Sequence, residues 1–315
     1  MAVSLPTATG APRRMRFWQR RAFRLALTGW LFALPLLIYF IIWSVIPILS
    51  ALTLLFFDWK GFEDLSTIHY VGLANVKELL SDRDYLRAFG NTFRYAVVVV
   101  TGSVGLGLAL ALAVNGVTRL VSLVRVIYYL PVVLPGTAMA LLWRLLYQPR
   151  YGMFNQFLRL FGAPPIAWLM NTKTALLAVC AYVIWKGVGW YMVVLLAGLK
   201  AIPEEYYEAA RIDGANRWQE FQRITLPLLK PALLFVTTMS IIWSLQVFNA
   251  VFVMTGGGPI DRTNTVVLQM YNTAFQWFRT SYATSMAVGL FVVIFIITRI
   301  QMRLYGEGGW SSYMG

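Results

Sequence analysis

Histidine and cysteine are almost missing from this chain, which holds one of each, His69 and Cys180. A lone thiol makes neither an intrachain disulfide nor a cysteine metal cluster. A lone histidine, set in a polar stretch between apolar runs, removes the Ser-His and Cys-His nucleophile arrangements. No GxxxxGKS/T stretch occurs, so nucleotide phosphates have no P-loop to sit in. These absences point away from an enzyme and away from a cofactor held by this chain. Acid is scarce too: 13 Asp and Glu stand against 27 Lys and Arg. All thirteen fall outside the long apolar runs. Ion-coupled carriers keep a carboxylate at mid-membrane, because an ion crossing the bilayer needs a site there. A secondary carrier is disfavoured on that ground, and uphill transport would draw its energy from an external ATPase.

What the chain has in quantity is apolar surface. Hydrophobic residues make up 59% of it and charged residues 13%, with a mean hydropathy of +0.64. That is too apolar for a soluble domain of 315 residues. A membrane-spanning helix needs roughly 20 apolar residues. Runs of that kind cover Leu25–Phe57, Tyr95–Val117, Val126–Tyr147, Thr174–Leu199, Pro231–Met254 and Ser281–Thr298. They predict an all-α polytopic membrane protein with six transmembrane helices. In the first run Pro35 and Pro47 offer places to bend. No linker or repeat divides the chain, so 25–303 reads as one membrane domain between a basic tail, 1–24, and a short tail, 304–315.

Arg13, Arg14, Arg16, Arg20, Arg21 and Arg24 precede the first run with no acid among them. Basic residues stay on the cytoplasmic side, which places the N-terminus there. Six crossings return Arg299, Arg303 and the C-terminus to the same side. Arg119 and Arg125 flank the second loop consistently. The first apolar run is about twice the length of a signal core, so an uncleaved helix is expected. A net charge of +14 fits contact with anionic membrane lipid better than nucleic acid.

Lys200–Pro227, KAIPEEYYEAARIDGANRWQEFQRITLP, is a polar stretch between two apolar runs that holds five of the thirteen acidic residues. Pro203, followed by Glu204 and Glu205, predicts a helix start with the charge its dipole favours. A helix over Pro203–Ile212 would bring Tyr206, Ala209, Ala210 and Asp213 to near-helical spacings. Gly214 suits a left-handed cap, and Asn216 with Gln219 suits a capping box for a second helix, Arg217–Thr225. Leu226-Pro227 would stop that helix. Ala209 and Ala210 permit close approach, while Tyr207, Trp218 and Phe221 offer apolar anchors, as for a helix laid in a partner's groove. A helix lying on lipid headgroups is the plain alternative.

Glu208-Ala209-Ala210, Gly214 four residues on, and Ile224, Leu226 and Pro227 resemble the EAA motif of bacterial binding-protein-dependent ABC importer permeases. The flanking AIPEEYYEAARIDGA is similar to the carbohydrate-importer version. TGGGP at Thr255–Pro259 and YVGLANVKELL followed by Asn91-Thr92 extend the likeness from about Leu25 to Arg303. The resemblance is to the maltose and glycerol-phosphate permease type, without the extra N-terminal spans of the maltose-importer counterpart. It implies a type I importer permease, MetI-like fold in the bacterial cytoplasmic (inner) membrane. The implied partners are a second related permease, two subunits that bind ATP and Mg, and an extracytoplasmic solute-binding protein. The implied cargo is a sugar or oligosaccharide. Glu208, Ala209, Ala210, Asp213 and Gly214 would then meet the ATPase. Aligned through LKAIP and GGP, Lys186, Gly187, Trp190, Ser240, Trp243 and Ser244 would contact sugar.

Lys186 departs from the apolar residue of that family position. It is read as a contact for an acidic or phosphorylated sugar, as a charge that neutralises a neighbouring subunit, or as an ammonium held by backbone carbonyls or snorkelling. Ser240, Trp243, Ser244 and Val247 would share one helical face. Gln148–Lys173 and Gly256–Thr280 would face the solute-binding protein, unless they are plain interfacial anchors. Polyamine, amino-acid and metal permeases carry EAA loops too, and a membrane scaffold is a further alternative.

Overall fold

A computed structural model describes residues 21–115 and 121–305 of the chain. Arg13, Arg14, Arg16, Arg20 and Arg119, and the segment 306–315, lie outside the described residues. The chain falls into two units, 1–53 and 54–315.

The first unit is a rod. Helix α1, Arg21–Phe40, passes through Pro35 and leads by a wide turn at Ile41–Val45 into α2, Ile46–Leu54. The two prolines do not break the rod: Leu25–Leu54 counts as one continuous span. The Ile46 N–H reaches back five residues to the Ile41 carbonyl, directly before Pro47. In a regular turn the proline ring meets the carbonyl four residues back, and the wider π-turn makes room for it.

The second unit opens with a ribbon, β1 Phe57–Asp58 paired antiparallel to β2 His69–Tyr70, so the fold is mostly but not wholly helical. Short α3, Ala74–Ser81, precedes the long α4, Arg83–Asn115. Buried Tyr85, Ala88, Thr92, Tyr95, Val99, Ser103, Gly107, Ala111 and Val114 draw one stripe along α4 at spacings of three and four. This helix starts at Arg83 rather than Tyr95. Its polar first turns are held by tertiary bonds: Asn91 donates to the Asp261 and Asn264 carbonyls at 2.7 and 3.0 Å, and the Val266 N–H donates to Thr92 Oγ1 at 2.9 Å.

The third apolar run is two helices, α5 Val121–Val133 and α6 Gly136–Leu146, bent by 97° across Leu134-Pro135. Helix α7, Met153–Leu160, leads to α8, Ala175–Lys200, which packs against α4. Next come α9 Glu205–Ile212, α10 Arg217–Glu220 and α11 Leu226–Leu228. A 66° bend then starts α12, Lys230–Leu245. The fifth run breaks there, and α13 covers only Asn249–Met254. Val247 is thus past the helix that was to carry it on a shared face. Helix α14, Val266–Tyr271, and α15, Thr280–Tyr305, complete the chain.

Among the described residues four helices are long and apolar enough to cross a membrane, or up to six spans if each bent pair is one. Phe235, Phe291 and Phe295 stay exposed, as expected of a surface whose solvent is lipid. The chain is a multi-pass membrane protein.

Close helix approach depends on glycine. A Cβ at Gly107 would sit 2.5 Å from the Tyr191 Cβ, one at Gly102 would sit 2.6 Å from Ile184, and one at Gly189 would strike the Tyr128 carbonyl. Gly105, which lies between Gly102 and Gly107 on α4, has nothing within 4 Å. Gly189→Leu is therefore expected to cost at least the roughly 1–3 kcal/mol typical of overpacking, because backbone cannot rotate away. Gly105→Ala should be neutral or mildly stabilising. Thermal melts in detergent check both, and a Gly189→Leu melt equal to wild type would refute the packing.

Candidate functional site

Two places on the second unit gather the functional candidates. The first is a cavity of about 240 Å³ between α4, α8, α12 and the end of α5. Lys186, Gly187, Trp190, Trp243 and Ser244 line it together. Ser240 does not. It is fully buried, and its Oγ accepts from the Tyr191 hydroxyl at 2.9 Å. Trp190 lies 4.9 Å from Trp243, edge to face, and 5.0 Å from Tyr191. Aromatic walls with few polar groups are the usual make-up of a small-molecule site.

Sequence reasoning missed Tyr95, Val99 and Ser103, which line the same cavity. Their signal was a spacing of four along α4, but nothing local shows which face of α4 meets α8.

Lys186 has two partners. Its Nζ donates to the Pro131 carbonyl at 3.1 Å and to the Val132 carbonyl at 3.3 Å. The residue four ahead of Pro131 is Pro135, which has no N–H, and the 97° bend takes Gly136 out of line with α5. Both carbonyls are therefore helix-end acceptors without intrahelical donors, at the negative end of α5. Tyr182 holds the other side of the break by donating to the Gly136 carbonyl at 2.8 Å. The ammonium so answers to the backbone-carbonyl reading and also faces the cavity.

The second place is the elbow formed by α9 and α10. Helix α9 begins at Glu205, after Pro203 and Glu204, and no residue in it is buried. Gly214 has φ +81°, and the Ala215 N–H reaches the Ala210 carbonyl at 2.9 Å. That is a Schellman turn with glycine at its left-handed position. Asn216 and Gln219 form a reciprocal capping box at the start of α10, with bonds of 3.0 and 2.8 Å. Helix α10 runs on through a π-turn at Phe221–Thr225, so Pro227 does not end it. The stop comes at Leu229. The Leu226 N–H reaches back to Phe221, the same device that admits Pro47.

Arg211 ties the elbow, pairing with Glu220 at 3.1 Å and Glu204 at 3.3 Å. The Glu220 hydrogen bond leads the causes that raise the guanidinium pKa above its ordinary value. Tyr207 is turned inward, its hydroxyl 3.0 Å from Thr225 Oγ1, so it braces the elbow from within. Glu208, Ala209, Asp213, Tyr206, Ile212 and Trp218 are exposed, and Ala210 half so. Ile212 is 86% and Trp218 64% exposed, the latter stacked on Phe221. Arg211→Ala is expected to leave folded yield unchanged, because exposed ion pairs contribute little, while loosening the angle between α9 and α10. Electron–electron spin distances between labels at Glu205 and Gln222 should broaden, and an unchanged distribution would remove Arg211 from this role.

At the other end of the unit, Asn155 organises 148–168. It donates to the Ile166 carbonyl at 2.9 Å and accepts from Ile166 N and Trp168 Nε1 at 3.0 Å. The TGGGP segment is held by Thr263, which donates to the Gly258 carbonyl at 2.6 Å, and the turn just after it by Asn91.

Residues 103–306 match the family model described as the binding-protein-dependent transport system inner membrane component. The trehalose/maltose transport system permease protein MalF of Thermococcus litoralis is 35% identical over 79% of this chain and 84% of its own length. The diacetylchitobiose uptake system permease protein NgcF of Streptomyces coelicolor is 33% identical over 96% and 89%. The multiple sugar-binding transport system permease protein MsmF of Streptococcus mutans is 30% identical over 88% and 94%. Among solved structures, a bacterial alginate ABC transporter in complex with its alginate-bound periplasmic protein has a chain that superposes with a TM-score of 0.80. The identity is 23%, covering 93% of this chain and 99% of that one, and the likeness carries the fold. With more than half of its length, residues 103–306, inside the family match and relatives at least 30% identical covering 79–96% of it, the chain belongs to the membrane components of binding-protein-dependent ABC transport systems.

Proposed function

We infer that this chain is the membrane-spanning permease of an ATP-driven importer, taking a sugar or oligosaccharide from a solute-binding protein. In this reading six spans, each bent pair counting as one, leave both termini in the cytoplasm of the bacterial inner membrane. A second, related permease completes the pathway across a pseudo-two-fold interface. Two separate ATP-binding subunits hold ATP and Mg and dock on the elbow. Lys186, Gly187, Trp190, Trp243 and Ser244 face the sugar, and Ser240 supports them through Tyr191.

The elbow carries the reading. Its internal geometry is fixed by Gly214, the capping box and the Arg211 clasp, while Tyr206, Ala209, Ile212 and Trp218 are left bare. A rigid, capped pair of short helices with an uncovered apolar face is suited to transmit force from a partner's groove. The relatives named for trehalose/maltose, diacetylchitobiose and multiple-sugar transport support a sugar as cargo.

Cys180 is buried, at 1% exposure, so Ala209→Cys supplies an accessible thiol of its own. In the purified assembly it is expected to cross-link to an ATP-binding subunit, and in inverted vesicles to react with an impermeant maleimide. Reaction only from the outer side, or no cross-link in an assembly that hydrolyses ATP, would overturn the docking.

A further inference from the structure

The cavity beside Lys186 has an unsatisfied polar end. An ammonium has three donors, and the carbonyls of Pro131 and Val132 take two. No Asp or Glu lines the cavity. Ser103, in the middle of α4 and 1% exposed, also lines it, and its buried Oγ has no hydrogen-bond partner. Each of these features is costly. A cation facing an apolar wall without a counter-charge costs free energy, and so does a buried hydroxyl with nothing to bond.

Capping α5 accounts for two of the ammonium's donors but not for its charge. The serine is not needed for the cap. A neutral sugar is served by hydroxyls and aromatic faces alone, which Ser244, Trp190 and Trp243 already provide. One arriving group would satisfy both leftovers at once: an oxygen group that bears negative charge and accepts two hydrogen bonds. At about 240 Å³ the cavity is below the roughly 300–1,000 Å³ of a drug-sized site. It suits one ring, or one substituent of a longer substrate.

We propose that the Lys186–Ser103 end of this cavity receives an anionic oxygen group, a carboxylate or a phosphate ester, on one residue of the transported sugar. This rests on the sugar-importer reading and narrows it to acidic substrates. Lys186 Nζ supplies the charge and its third N–H, and Ser103 Oγ donates its hydroxyl.

The test uses proteoliposomes of the full transporter with its solute-binding protein, offered three matched trisaccharides: neutral, uronate-bearing and phosphate-bearing. One anionic member is expected to enter at least about tenfold faster than the neutral one, the scale of a charge-assisted hydrogen bond. Which member wins names the group. Lys186→Met should erase the preference, Lys186→Arg should keep most of it, and Ser103→Ala should lower the ratio of anionic to neutral uptake about threefold or more. Lys186→Met also uncaps α5, so if it fails to fold, Ser103→Ala and Lys186→Arg decide, since both leave the carbonyls a donor. Equal or faster uptake of the neutral trisaccharide by the wild type overturns the proposal. So does a charged-to-neutral ratio that none of the variants moves. If no trisaccharide stimulates ATP hydrolysis while Ala209→Cys still cross-links, the sugar reading itself fails. If neutral sugar is carried well, only the acidic substrate falls.

Discussion

Gly214→Val is expected to abolish transport while the protein still inserts and the proposed ATP-binding subunits still hydrolyse ATP. At φ +81° the backbone is left-handed, which costs an L-residue about 1–2 kcal/mol and a β-branched one more. Nothing lies within 4 Å of a Cβ built there. The effect is therefore conformational and local, with no clash to spread into the membrane helices. Relieving the strain opens the turn, pulls the Ala215 N–H off the Ala210 carbonyl and changes the angle between α9 and α10. The apolar face of α9 then no longer points where the proposed ATP-binding subunit would close. Gly214→Asn, which tolerates the left-handed region, should retain most transport. The measurement is the ratio of solute moved to ATP hydrolysed, at matched membrane levels. A normal ratio for Gly214→Val would remove the elbow from coupling.

The elbow was legible in the sequence because its rules are local. A glycine after a helix-forming run and an Asn three residues before a Gln specify a Schellman turn and a capping box with no help from the rest of the chain. Pro227 misled for the opposite reason. Its effect depends on whether the preceding turn can widen, and the Phe221–Thr225 π-turn does widen. The long apolar runs located the membrane segments but not their ends. Helix α4 extends back to Arg83 because Asn91 and Thr92 find partners some 170 residues away, which hydropathy does not register. The break in the third run is a tertiary event as well. Pro131 sits inside α5 without ending it, and the bend falls at Leu134-Pro135, where Lys186 of another helix accepts the task of capping. Lys186 stood out as a lone charge in an apolar run. Ser103 did not, since a small hydroxyl among valines and glycines is unremarkable until its missing partner is seen.

Asn155→Ala is expected to produce the largest loss of stability of any single truncation in the 148–173 segment. The side chain is fully buried and all of its bonding capacity is used. Nδ2 donates to Ile166 O, with longer contacts to Pro149 O and Gln148 O at 3.3 and 3.4 Å, and Oδ1 accepts from Ile166 N and Trp168 Nε1. Each buried group left unpaired costs about 1–3 kcal/mol, and because they share one site the sum is expected near 3–5 kcal/mol rather than additive. Asn155→Asp keeps the acceptor for Ile166 N and Trp168 Nε1 but sets a carboxylate against carbonyl oxygens, so it is no rescue. The damage should stay on this side of the molecule. Trp168 packs on Tyr147 at 5.8 Å, and Tyr147 in turn donates to the Ala178 carbonyl at 3.1 Å, which ties the segment to the N-terminal end of α8. The elbow shares none of these bonds. Faster proteolysis within 148–173 and a loss of ATP hydrolysis stimulated by the proposed solute-binding protein are therefore expected together, with Ala209→Cys cross-linking preserved. If stimulation survived at the wild-type level in an Asn155→Ala protein whose segment is cut readily, that face would not be where the solute-binding protein docks. If the segment resisted cleavage as the wild type does, the Asn155 network would not be what orders it.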